Sequence, residues 1–170
     1  MVNATAPDLR PDETRVWAAL REIPDPEIPT LGIVDLGIVR HVRAAALGFE
    51  IGLTPTYSGC PATDVIRQLV DEAMAARGIR ARVTMVVKPA WTTDGISEQG
   101  RRKLAESGIV PPARLSGAGR SASALNDDPV DCPHCRSACT TRVSEFGSTP
   151  CKALYRCHDC LEPFERFKCL

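Results

Sequence analysis

The chain has 170 residues, a mass of 18.4 kDa, and 21 Lys+Arg balanced by 21 Asp+Glu. Such neutrality argues against a general polyanion binder, which carries a basic excess, and an apolar fraction of 44% excludes wholesale disorder. No apolar run approaches the roughly 18 residues that span a bilayer. The opening stretch MVNATAPDLRPDE lacks the basic and apolar regions of a signal peptide, so the cytoplasm is the expected compartment.

The first predicted element is an amphipathic helix over Asp12–Ile23, with Val16, Leu20 and Ile23 on one face and Pro24 as its stop. Two strands are expected at Ile33–Val42 and Gly48–Thr54, joined around Ala44–Leu47. Cys60-Pro61 then opens a second helix, with Val65, Ile66, Leu69, Val70, Ala73 and Met74 on one broad face and Gly78 at its end. Arg80–Lys88 alternates polar residues against Ala81, Val83, Met85 and Val87, the pattern of a half-buried strand. A last helix is expected over Gly95–Glu106, ending before Gly108. The order α-β-β-α-β-α favours a small two-layer α/β sandwich with its helices on one face of a three-stranded sheet.

Residues 111–130 read as a flexible linker, since 12 of the 19 positions from Pro111 to Pro129 are Gly, Pro, Ser or Ala. This divides the chain into a 9–110 domain, the 111–130 linker and a 131–170 module, an α+β chain overall. The last module is too short to hold a large core and is expected to need a metal or cross-links.

Cysteine usage points to metal. Of eight cysteines, seven lie in the last 39 residues, where a reducing compartment favours metal ligation over disulfides. Cys132-Pro-His-Cys135 and Cys157-His-Asp-Cys160 are two CxxC knuckles with 21 residues between them. Together they supply a tetrahedral four-thiolate site for structural zinc, ahead of a rubredoxin-type iron. Val143–Thr149, with Gly147 as a turn, fits the hairpin of a zinc ribbon, and Leu154, Tyr155, Phe164 and Phe167 are its expected core. Binding of a structural zinc contributes roughly 10–16 kcal/mol, enough to fold such a module. His134 and His158 are expected to face solvent and Cys169 to be incidental, while Cys139 and Cys151 are open to two readings: ordinary buried thiols, or sites for a labile metal or cluster.

Cys60 is the lone cysteine of the first domain and sits at a helix start. The helix N-terminus favours a thiolate by only about 0.3–1 kcal/mol, too little for a convincing enzyme nucleophile. A bound metal would deprotonate the thiol outright. Asp25 and Glu27, held between Pro24 and Pro29, can accept iron or a basic group of a partner, or serve as turn and cap residues. Gly95-x4-Gly100 lacks the Lys-Ser/Thr of a phosphate loop, and the glycines at 117 and 119 have no strand before them. Arg101-Arg102-Lys103 reads as a solvated helical face, and Asn3-Ala-Thr5 as a glycosylation sequon of no use in the cytosol. No self-contained catalytic site emerges, so the chain is expected not to be an enzyme by itself.

Asp25–Val39 (DPEIPTLGIVDLGIV) and Thr54–Pro61 (TPTYSGCP) resemble the iron–sulfur assembly domain family that includes SufT. With Trp91-Thr-Thr-Asp94, Ile96–Leu104 (ISEQGRRKL), Ser144–Ala153 (SEFGSTPCKA) and Glu162-Pro-Phe164, nearly the whole chain resembles the PaaD family, encoded with the multicomponent phenylacetyl-CoA epoxidase. The resemblance implies an accessory role in aerobic phenylacetate breakdown: assembling or maintaining the iron centres of a partner, either the reductase or the di-iron oxygenase subunit. It makes Cys60 the assembly-domain cysteine and Asp25 and Glu27 the acidic motif. Cys60, with Cys151 or Cys139, would then hold transient iron or an Fe–S cluster. A structural oxygenase subunit without chemistry is the alternative. A nucleic-acid-binding zinc ribbon is a third reading, opposed by neutral charge and 5% aromatics. Oligomeric state is left open.

Overall fold

The computed structural model describes residues 11–116, 119 and 121–170. The Asn3 sequon and most of the opening stretch lie outside the described residues, as do Gly117, Ala118 and Arg120 of the expected linker. Helix α1 (Pro11–Arg21) buries Val16, Ala19 and Leu20. Strands β1 (Val39–Ala45) and β2 (Gly48–Leu53) form an antiparallel hairpin, with Ala45 opposite Gly48 across a two-residue turn. Helix α2 (Ala62–Ala76) is the crossover to β3 (Ala81–Met85), which runs parallel to β2 in the order β1-β2-β3. Parallel neighbours require such a crossover, and this helix buries Ala62, Ile66, Val70 and Met74 at every fourth position.

The sandwich expected from the sequence is thus present, with three local differences. Residues 33–38 form turns, in which Leu36 N–H donates to Gly32 and Gly37 N–H to Val34. Gly37 has φ +75°, and a Cβ there would collide with the carbonyl of Gly95, so the strand starts only at Val39. Val65 is exposed on α2, and Met85 and Val87 are exposed at the end of β3, where the sheet runs out into an open pocket. Helix α3 (Glu98–Glu106) starts three residues later than expected, because Ser97 caps it by accepting from Gly100 N–H at 2.9 Å. A separate 3₁₀ turn occupies Thr93–Gly95. Asp35 holds this region against the 33–38 turns, accepting from Ser97 Oγ at 2.9 Å and Lys103 Nζ at 2.6 Å.

The C-terminal sheet has the order β4-β7-β6-β5. Its strands are β4 (Ile109–Val110), β5 (Thr140–Ser144), β6 (Lys152–Cys157) and β7 (Pro163–Phe167). Since β4 follows α3 directly and pairs in parallel with β7, the first sandwich hands one strand to the second sheet. The segment expected to be a flexible tether is folded onto the protein at several points. It contains helix α4 (Ala122–Asn126) and buries Leu125 and Val130. The Arg101 guanidinium donates to Pro112 O, and the Arg166 guanidinium to Leu125 O at 2.7 Å. Cys169 is likewise not incidental: it is buried, and its backbone exchanges two hydrogen bonds with the Asn126 amide.

Core membership also differs from expectation. Phe167 and Cys151 belong to the large core of the first sandwich, where Phe167 meets Trp91 with ring centroids 6.3 Å apart. The ribbon keeps a separate cluster of Val130, Cys132, Ala153, Tyr155, Cys157 and Phe164, and Leu154 is not part of it, being half-buried on the other face of β6. Between the two cores, Lys152 on β6 pairs with Glu165 on β7 at 2.7 Å, and the lysine side chain is almost fully buried. Gly147 lets the β5–β6 loop approach, since a Cβ there would strike the Glu165 carboxylate.

The Glu165 carboxyl is lowered from its ordinary value by hydrogen bonds from Lys152 and Ser148, which outweigh its partial burial. A lowered carboxylate stabilises the fold above its unfolded pKa and loses that contribution as pH falls through the folded one. Glu165→Gln is therefore expected to cost on the order of 3 kcal/mol at pH 7 by leaving a buried ammonium unpaired. In urea titrations the gap from the wild type should narrow as pH drops below about 4.5.

Candidate metal centre and thiol pocket

The two knuckles converge. Cys132 Sγ lies 3.6 Å from Cys160 Sγ and Cys135 Sγ lies 3.5 Å from Cys157 Sγ, and all four sulfurs fall within 4.8 Å of one another. Four thiolates about 2.3 Å from one tetrahedral ion would be separated by roughly 3.8 Å. The donor set therefore fits a single structural metal ion of the zinc-ribbon kind. Each knuckle is closed by a residue with positive φ directly after its second cysteine, Arg136 at 63° and Leu161 at 65°. Within the second knuckle the backbone N–H groups of Cys160 and Asp159 donate to the Cys157 sulfur and favour its thiolate. His134 and His158 are exposed, and His158 Nε2 engages Thr141 Oγ1 at 2.7 Å.

A second constellation forms where β2 ends and α2 begins. A pocket there is lined by Asp25, Glu27, Thr54, Cys60, Cys151 and Phe167, among others. Asp25 Oδ1 accepts from the backbone N–H of Glu27 at 2.9 Å and of Ile28 at 2.8 Å, an Asx turn that presents Glu27 beside it. Burial raises the Asp25 carboxyl despite those two hydrogen bonds and the positive field of Lys152. Burial, then the neighbouring Asp25 charge, raises Glu27. Burial also pushes the Cys151 thiol up, although Thr149 Oγ1 lies 3.1 Å from its sulfur. Tyr57 is driven to about 12, first by burial and then by negative charge on Cys60 and Glu27. The anions of Asp25, Glu27 and Cys151 are thus disfavoured as they stand, and a cation in the pocket would favour each of them.

One polar atom here is left over. Thr54 is 1% exposed, and its hydroxyl is buried without a hydrogen-bond partner. Groups of this kind cost about 1–3 kcal/mol each when left unpaired. Cys60, Cys151, Asp25 and Glu27, the iron candidates of the sequence, share this one pocket. Cys139 does not join them: it is exposed on the ribbon, where its carbonyl accepts from His158 N–H. Sequence reasoning did not single out Thr54 or Lys152, although both lie in stretches that carry the family resemblance, because their roles arise from burial.

Comparison with known proteins follows this division. Residues 13–86 match a family profile described as iron–sulfur cluster assembly protein, and residues 117–168 match the PaaD zinc beta ribbon domain. The chain therefore joins an iron–sulfur-assembly-type domain to a zinc ribbon. It is 50% identical over 161 residues to a protein of Escherichia coli (strain K12) named as a subunit of 1,2-phenylacetyl-CoA epoxidase, covering 94% of each chain. The chain belongs to this family, PaaD. A Bacillus anthracis domain of unknown function, DUF59, superposes with a TM-score of 0.51 at 28% identity, covering 55% of this chain and 91% of that one. A Mycobacterium tuberculosis protein described as associated with [Fe-S] complex assembly and repair is 34% identical, covering 64% and 94%, with a TM-score of 0.32. Among the described residues no helix is long and apolar enough to cross a membrane.

Elemental analysis of the purified protein should find about one zinc per chain, as one closed four-thiolate site requires. Cys135 is exposed, so Cys135→Ser removes a ligand without opening a core cavity. This variant is expected to retain far less zinc and to melt at a lower temperature than the wild type.

Proposed function

We propose that the protein is a non-catalytic accessory subunit of a phenylacetyl-CoA epoxidase that handles iron or an iron–sulfur cluster as cargo for a partner subunit. The observation that carries this reading is the shared pocket, lined by two thiols, two carboxyls and an unpartnered threonine hydroxyl. Thiolates and carboxylates together suit iron, which accepts both donor types. The ribbon sulfurs would hold zinc permanently, and Cys60, helped by Cys151, Asp25 and Glu27, would hold the cargo.

Tightness separates the two sites. Among the described residues, the four ribbon cysteines are the one group of three or more potential ligands gathered within 4.8 Å. The pocket donors are more widely spread, which favours transient holding over storage. The raised carboxyls add a pH dependence: uptake competes with protons, so cation binding should weaken as the medium is acidified. The clients would be the iron-bearing reductase or the di-iron oxygenase subunit, met in the cytosol, where the free thiols stay reduced.

Anaerobic reconstitution with ferrous iron and sulfide tests this. The wild type should acquire a visible chromophore that moves to the apo-reductase, and Cys60→Ser should acquire less and transfer it more slowly. An epoxidase that matures fully and works normally with Cys60→Ser, while the protein co-purifies with it in fixed stoichiometry, would instead mark a purely structural subunit.

A further inference from the structure

The pocket is built by both halves of the chain, and its ribbon wall is a direct extension of the metal knuckles. Strand β6 begins at Lys152, immediately after Cys151, and ends at Cys157, a ligand sulfur. The second knuckle is the turn that reverses β6 into β7, and β7 ends at Phe167, which lines the same pocket. Lys168 N–H donates to Cys151 O at 2.9 Å, so the two strand ends are tied together at the pocket. One hairpin therefore has the ion at its turn and the pocket wall at its open end, roughly 20 Å away for six extended residues.

The knuckle end of the hairpin has little core of its own without the ion. Of the six buried members of the ribbon cluster, Cys132 and Cys157 are themselves metal ligands. Besides the knuckles, β6 and β7 are held by the two-residue strand β4, by the edge strand β5, by the Lys152–Glu165 pair, by Arg166 donating to α4 carbonyls and, at the pocket end, by Phe167 in the first core. Cys60, half-buried on the other side of the pocket, packs against the core cluster that includes Cys151 and Phe167.

We infer that metal occupancy of the four-cysteine knuckles controls access to Cys60: with the ion bound, the β6–β7 hairpin holds Cys151 and Phe167 over the pocket, and metal loss loosens this wall while the first sandwich stays folded. Such a control deepens the cargo reading, on which its purpose rests, by adding a gate to the same site. Its readout is thiol access, so it succeeds or fails independently of what Cys60 carries.

The test is the alkylation rate of Cys60 by iodoacetamide in the full chain, followed by mass spectrometry of the peptide that contains it. Zinc-loaded wild type is compared with chelator-stripped wild type and with Cys135→Ser, alongside hydrogen exchange of the α2 peptides. Cys60 alkylation is expected to rise about tenfold or more on zinc removal, to return when zinc is restored, and to leave α2 protection intact. Phe167→Ala, with zinc still bound, should also speed alkylation, because it removes the wall directly. An unchanged rate in verified zinc-free protein overturns the inference. Loss of α2 protection together with faster alkylation also overturns it, since the ion would then support the whole fold rather than the pocket wall.

Discussion

The short parallel pairing of β4 with β7 fixes the relation between everything else. Two residues following α3 enter the ribbon's sheet, and the ribbon returns Phe167 and Cys151 to the core of the first sandwich. Each half thus completes the other: the assembly-type domain supplies an edge strand, and the zinc ribbon supplies two core side chains. Area-driven burial acts without direction, so the registry has to come from directional contacts. These are the β4–β7 hydrogen bonds, the Asn126–Cys169 exchange and the Thr93 N–H to Leu170 O bond at 3.2 Å.

The same arrangement explains why iron candidates far apart in sequence meet in space. Asp25 and Glu27 arrive on an Asx turn after α1, Cys60 where β2 gives way to α2, and Cys151 on the loop entering β6. A buried cation, Lys152, lies next to this cluster but is committed to Glu165. Its field moderates the acidic pair without filling the pocket. Soft and hard donors in one recess, with a buried threonine hydroxyl left unpaired, cost the fold something as they stand, and an incoming cation would offset that cost.

Much of this is legible in the chain. The period-four spacing of Ile66, Val70 and Met74 marks α2, and the spacing of the CxxC pairs marks the metal centre, whereas Gly147 is required by the close approach of the Glu165 carboxylate rather than by a turn conformation. The strand expected over 33–42 is shorter in the fold because apolar spacing does not report that Gly37 must pass close to Gly95. The expected linker misleads for a related reason. A stretch rich in Ser, Ala and Pro reads as free, but Leu125, Val130 and the Asn126 amide are enough to pin it, and the partners of Leu125 and Asn126 lie about 40 residues downstream. Phe167 reads as ribbon core because it lies in the ribbon's sequence; only topology places it in the neighbouring core.

Arg136 and Leu161 carry a consequence of their own. Ordinary side chains resist the left-handed region by about 1–2 kcal/mol, and the two knuckles use one such residue each. That conformational tension is tolerable while four sulfurs converge on one charge, and it becomes a push toward relaxation once the charge is gone. Ion release and knuckle uncoiling would then reinforce each other, so the ribbon should pass between closed and sprung forms in a single step rather than lose its sulfurs one by one.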